Sequence, residues 1–176
     1  MAKFENEPRL KNTPRPFPSP ITFVVAGFDR DEAYGRKYIF DIPNNSTPKE
    51  QHPGNSFRIT WGGQHKICRR LIKGFDFDEL MPLIENVCPL TEEQRRKLVH
   101  EELPKLELPI PYAALSLQDA INLAIVMIRT TIDIQSFMID VRGCGGAIDI
   151  AVITLEKGFQ WIQRKKLEGE FGSFEE

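Results

Sequence analysis

Apolar residues fall on two different rhythms along the chain. From Ser116 onward, Leu117, Ala120, Ile121, Ala124, Met127, Ile128, Thr131 and Ile132 recur at steps of three and four. That spacing places them on one face of a helix. Leu123, Ile125 and Val126 widen the face, so this helix is expected to be mostly buried, between a sheet and a neighbouring subunit or helix. Ser116 with Asp119 three residues on is close to a capping box, in which hydroxyl and acid each meet a backbone donor of the first turn. The helix is expected to fray near Gln135–Asp140. Gly143, Gly145 and Gly146 follow, with a turn expected to use positive φ. Ala147–Thr154 is short and β-branched, which predicts a strand buried on both faces. Lys157-Gly158 then turns the chain into a return strand, Phe159–Gln163.

The first half carries shorter signals. Ile21–Phe28 is apolar and β-branched, and Arg36–Ile42 alternates with Tyr38, Phe40 and Ile42 on one face. The charged stretch Asp29–Gly35 joins them as a hairpin turn. Pro43–Asn55, rich in Pro, Asn and Ser, is expected to be a surface loop. Phe57–Trp61 is expected to be a third strand, broken by Gly62-Gly63. Helices are expected over Gln64–Lys73, with Ile67, Arg70, Leu71 and Cys68 inward and Gly74 as C-cap, and over Asp76–Val87, where Pro82 kinks the helix or marks a later start. Thr91 and Gln94 form a capping box for a third helix reaching about Leu103. Two prolines make Leu106–Tyr112 a linker pressed against the surface. Residues 1–20 hold five of the thirteen prolines and read as an extended arm; 171–176 reads as a flexible tail. The element order predicts an α+β domain over 21–170 with largely antiparallel sheet and a helical insertion at about 76–112.

Composition narrows the partners. The chain has 176 residues, enough for one domain with a core, and a net charge of −2. Its basic clusters, Arg69-Arg70, Arg95-Arg96-Lys97 and Arg164-Lys165-Lys166, are small and read as solvated helix faces rather than a nucleic-acid surface. The polar N-terminus does not read as a secretion signal. The longest apolar run, near Leu123–Ile128, is too short to span a bilayer, so no membrane partner is expected. Three cysteines, Cys68, Cys88 and Cys144, lack metal-ligand spacing and suit a reducing, cytoplasmic setting. No metal and no cofactor are expected.

VVAGFD followed by RKYIFDI, then WGGQ leading into a helix, resembles the middle of a proteasome-type subunit. SLQDAINLAIVMIRTTIDIQ is similar to that family's long helix, and CGGAIDIAVITLEKGFQWIQR to its Gly-Gly turn and final hairpin. The resemblance covers about Ile21–Arg164. It implies a partial αββα layered sandwich of the N-terminal-nucleophile hydrolases, assembled into oligomers with like or unlike proteasome-like subunits. Family members cleave amides with an N-terminal Thr whose own amine is the base. This chain has no counterpart of the hairpins that carry that Thr. Thr13 precedes the matched region, and Thr22 lies inside a strand matched to a non-catalytic position. The family's supporting Asp and Ser fall here at Val141, with Asp140 one residue away, and at Cys144.

Each candidate has two readings. Cys144 could be a nucleophile, with the N–H groups of Gly145 and Gly146 forming an anion nest; the commoner reason for such a residue is packing in a tight turn. His65 could be its base, or simply flank a helix start. Asp149 reads as a structural hydrogen-bonding acid, Asp29 and Asp41 as strand ends, and His52 and His100 as surface residues. Two classes of function remain. One is a non-catalytic proteasome-like subunit in an oligomeric assembly. The other is the C-terminal part of a Thr-dependent peptidase acting on peptides or proteins, with its catalytic half on another chain or upstream segment.

Overall fold

The computed structural model describes residues 21–42, 45–51, 54, 56–139, 142–166, 168–169 and 172–173. The described residues are mixed α+β, with small antiparallel sheets and four α-helices. The chain divides into two compact units, one formed by 1–56 with 152–160, the other by 57–151 with 161–176. The arm expected over 1–20 lies outside the described residues.

In the first unit, β1 (Ile21–Gly27), β2 (Arg36–Ile42) and β3 (Asn45–Glu50) form a sheet in that order. β1 and β2 pair in unbroken antiparallel register from Ile21 opposite Ile42 to Gly27 opposite Arg36. Phe23 stacks on Phe40 directly across the pair, with ring centroids 5.1 Å apart. On the other face Thr22 Oγ1 donates to Asp41 Oδ1 at 2.7 Å. Arg36 ties the hairpin together: its guanidinium reaches Glu32 and lies 3.0 Å from Asp29 and 3.8 Å from Glu50. The Glu32 hydrogen bond raises the Arg36 pKa above its ordinary value, and the same bond lowers that of Glu32.

Two expectations for this region fail. Within the expected loop 43–55, Asn45–Glu50 is instead a strand, pairing through Tyr38, Ile39 and Asp41 of β2. Pro48 is tolerated because β3 is an edge, where a missing N–H costs no ladder bond. Phe57–Trp61, expected to be a strand, is irregular. Ile59 and Trp61 serve the second unit instead, packing on its core cluster of Cys68, Ile72 and Met127.

That cluster joins two helices. α1 (Lys66–Lys73) buries Cys68 and Ile72, while Arg70 and Leu71, expected inward, are exposed. It ends at Gly74, left-handed with φ 80°. α2 (Phe77–Val87) begins at the N-cap Asp76, whose Oδ1 accepts from the N–H groups of Asp78 and Glu79, and it runs through Pro82. α3 (Glu92–Lys97) has the expected Thr91–Gln94 capping box, then loosens into a wider turn at Leu98–Glu102 and a tighter one at Leu103–Leu106. Leu108 N donates to Ile72 O at 2.8 Å, which ties the proline linker to α1. α4 (Leu117–Phe137) has the Ser116–Asp119 capping box and packs on α1, where the Cys68 thiol lies 3.5 Å from Thr131 Oγ1.

α4 was expected to be mostly buried. Only Ile121, Met127, Thr131 and Gln135 are, and Phe137 is 85% exposed. Its length and apolarity are also enough to cross a bilayer, which the six-residue run at 123–128 alone does not suggest. Arg129, Asp133 and Gln135 interrupt it, and its packing on α1 gives it a protein neighbour. β4 (Ile150–Thr154) and β5 (Gly158–Gln163) form the expected hairpin, but β4 starts three residues late and alternates between half-buried and exposed instead of being buried on both faces. Of the expected tail, Gly172–Ser173 (β7) pairs with Glu168–Gly169 (β6); the remaining tail residues lie outside the described set.

Candidate functional site

The glycine turn after α4 is organised by one buried amide. The last turns of α4 place Gln135, 8% exposed, against residues 143–144. Its Oε1 accepts from Gly143 N at 2.9 Å and Cys144 N at 3.2 Å, with the Cys144 thiol at 3.5 Å. Its Nε2 donates to Gln64 Oε1 at 3.2 Å. Two successive N–H groups therefore converge as they would on an anion, and a side-chain carbonyl occupies the place. The converging pair is two residues upstream of the Gly145 and Gly146 pair considered from the sequence.

The glycines differ in purpose. Gly146 has φ 82°, the expected positive value. Gly143 is instead approached by a side chain: a Cβ there would lie 2.3 Å from Gln64 Nε2, so a larger residue would displace the Gln64 side chain. Gly145 meets nothing within 4 Å at its Cβ position, so neither reason applies to it.

Cys144 is half-buried and free, and the described hydrogen-bond partner of its thiol is Gln135. The thiol therefore donates to a neutral side-chain carbonyl oxygen and not to a base. His65 is engaged elsewhere, with Nδ1 2.9 Å from Gly63 O and Nε2 3.9 Å from Asp78. Asp140 and His52 lie outside the described residues. Asp149 accepts from Lys165 N at 2.7 Å, and that bond lowers its pKa. Asp41 sits within β2 and not at its end. Gln135 and Gln64 were missed because single glutamines carry no spacing signal.

A second feature is a cavity of about 350 Å³ beside α1 and α2. Trp61, Phe75, Phe77, Val99 and Leu103 supply its apolar wall. Its charges are paired: Lys73 with Glu107 at 2.6 Å and Arg69 with Asp78 at 2.5 Å. No hydroxyl or thiol lines it. Among the described residues, no group of three or more His, Cys, Asp or Glu could hold a metal ion.

No protein-family model, curated protein or solved structure matches the chain.

Proposed function

We propose that the chain is a non-catalytic subunit of a proteasome-like assembly, completing a partial αββα sandwich only when neighbouring chains cover it. The observation that carries this reading is the distribution of apolar residues. Among the described residues seven apolar side chains are buried and twenty-three large ones are exposed. Twelve of the exposed ones lie on three regular elements: Ile21, Phe23, Val24 and Val25 on β1; Leu117, Val126, Ile128, Ile134 and Phe137 on α4; Phe159, Trp161 and Ile162 on β5. Single exposed hydrophobics need no explanation, but several on one element make a surface that another protein can cover. Covering a half-exposed Val, Ile or Phe yields about 1 kcal/mol per side chain, so several such residues on each element favour association strongly.

The non-catalytic part of the reading is supported by the glycine turn. Its N–H pair is filled by Gln135, and its thiol faces a neutral carbonyl oxygen. The second reading, a C-terminal part of a Thr-dependent peptidase, makes the same demand for cover and adds activity. Size-separated fractions of the purified chain, assayed with fluorogenic peptides, distinguish the two. A multi-chain species without hydrolysis is expected. Hydrolysis that co-elutes with the assembled chain and survives Cys144→Ala would replace the first reading with the second.

A further inference from the structure

The two edges of the β1–β2–β3 sheet are built differently. The β3 edge reads Asn-Ser-Thr-Pro-Lys-Glu, and its pairing with β2 is irregular between Ile39 and Asp41. Proline, charge and broken register are the usual devices that stop an edge from accepting another strand. The β1 edge has none of them. Its seven residues, Ile-Thr-Phe-Val-Val-Ala-Gly, carry no charge and no proline, and its register with β2 is unbroken. Among the described residues no strand pairs with its outer side. Val24 and Val25 are 58% and 53% exposed, so its two faces are open as well.

We propose that the outer edge of β1 pairs antiparallel with β1 of a second copy, centred on Val24, to give a continuous six-stranded sheet. This rests on the subunit reading above and adds where one contact lies and what occupies it. The register follows from the residues. With Val24 opposite Val24, Phe23 falls opposite Val25 of the other copy and Thr22 opposite Ala26. Extending each row through the β1–β2 pairing gives Ile39, Val24, Val24, Ile39 on one face, an apolar row symmetric about the axis. On the other face the row is Tyr38, Val25, Phe23, Phe40, aromatic and β-branched throughout. The next row is Lys37, Ala26, Thr22, Asp41, ending in opposite charges. No row sets like charges against each other. The resulting order β3-β2-β1-β1-β2-β3 leaves only the two blunted β3 edges outside, so the pairing closes on itself by a two-fold axis. A lone strand from an unrelated protein would leave its own far edge open.

The test uses the full chain, with light scattering across a concentration series and an engineered cross-link. Val24→Lys puts two ammonium groups side by side at the axis and is expected to raise the dissociation constant of the pair at least tenfold, with unchanged far-ultraviolet circular dichroism. Val24→Cys is expected to give a disulfide-linked pair under diamide far faster than the wild-type chain or Thr22→Cys, whose thiols the register keeps apart. Cross-linking no faster than in Thr22→Cys overturns the proposal whatever Val24→Lys does to folding. An oligomer whose mass Val24→Lys leaves intact also overturns it and leaves the subunit reading standing; a monomeric wild-type chain overturns both.

Discussion

Gly74→Ala is the substitution with the most fully specified cost. Gly74 ends α1 with φ 80°, where a residue bearing a Cβ loses about 1–2 kcal/mol. The added Cβ would also sit 2.9 Å from Leu106 O and 3.2 Å from Leu106 Cβ. The carbonyl is backbone and cannot swing aside as a side chain would. Its segment is held to α1 by the Leu108 N to Ile72 O hydrogen bond of 2.8 Å, and giving way strains a bond worth about 0.5–1.5 kcal/mol. The sum is about 1.5–3.5 kcal/mol. With a urea slope of about 2 kcal/mol per molar, the midpoint should fall by about 1–2 M. Trp61, which packs on the core beside α1, reports the transition by fluorescence. Gly74→Asn separates the two costs, because Asn accepts the left-handed conformation but keeps the Cβ; it should lose about half as much. Gly27→Ala, with nothing within 4 Å, should change stability by less than about 0.5 kcal/mol. A Gly74→Ala shift no larger than that control would refute the reasoning.

Gln135→Leu should destabilise by about 1–3 kcal/mol, since the N–H groups of Gly143 and Cys144 lose their acceptor; urea unfolding together with faster hydrogen exchange at those two amides checks it. Asp76→Ala should cost about 1–2 kcal/mol through the lost cap of α2, while Asp76→Asn, which keeps an acceptor oxygen, should cost clearly less by thermal melting. Glu79 bonds both Lys66 and Arg70, and the Lys66 bond, the larger cause, lowers its pKa below the ordinary 4.5. A lowered folded pKa means stability that is present above about pH 4.5 and is lost as pH falls through the folded value. Glu79→Gln should therefore flatten the acid limb of the stability profile, and an unchanged limb would count against the pairing. Cys144→Ala should leave any peptide hydrolysis by the purified chain unchanged.

The elements most legible in the sequence are those whose signals are local. Thr91–Gln94, Ser116–Asp119 and Gly74 mark helix ends through backbone groups within four residues, and each is where it was expected. The β1–β2 hairpin was legible for a similar reason, because its strands are neighbours in sequence. Signals that depend on a distant partner misled. Phe57–Trp61 has strand composition but is irregular, while Asn45–Glu50 has loop composition and becomes an edge strand because β2 offers it a ladder. The apolar residues of α4 and β4 led to an expectation of burial that the described residues do not meet, because burial needs a covering layer and a periodic pattern does not show whether one is present. At the glycine turn the pattern marked the place. The acceptor that fills it, Gln135, comes from the preceding helix, and the side chain that lies against Gly143, Gln64, is far away in the chain.

The central claim is that the exposed apolar surfaces are covered by other chains. Native mass of the purified full chain by light scattering, across a concentration series and with a polarity-sensitive dye such as ANS present in parallel, tests it most directly. A discrete multiple of the chain mass is expected, with dye binding that rises only as dilution takes the assembly apart. A monodisperse monomer at every concentration, with little dye bound, would contradict the claim, because the apolar groups on β1, α4 and β5 would then be stable in water without a partner.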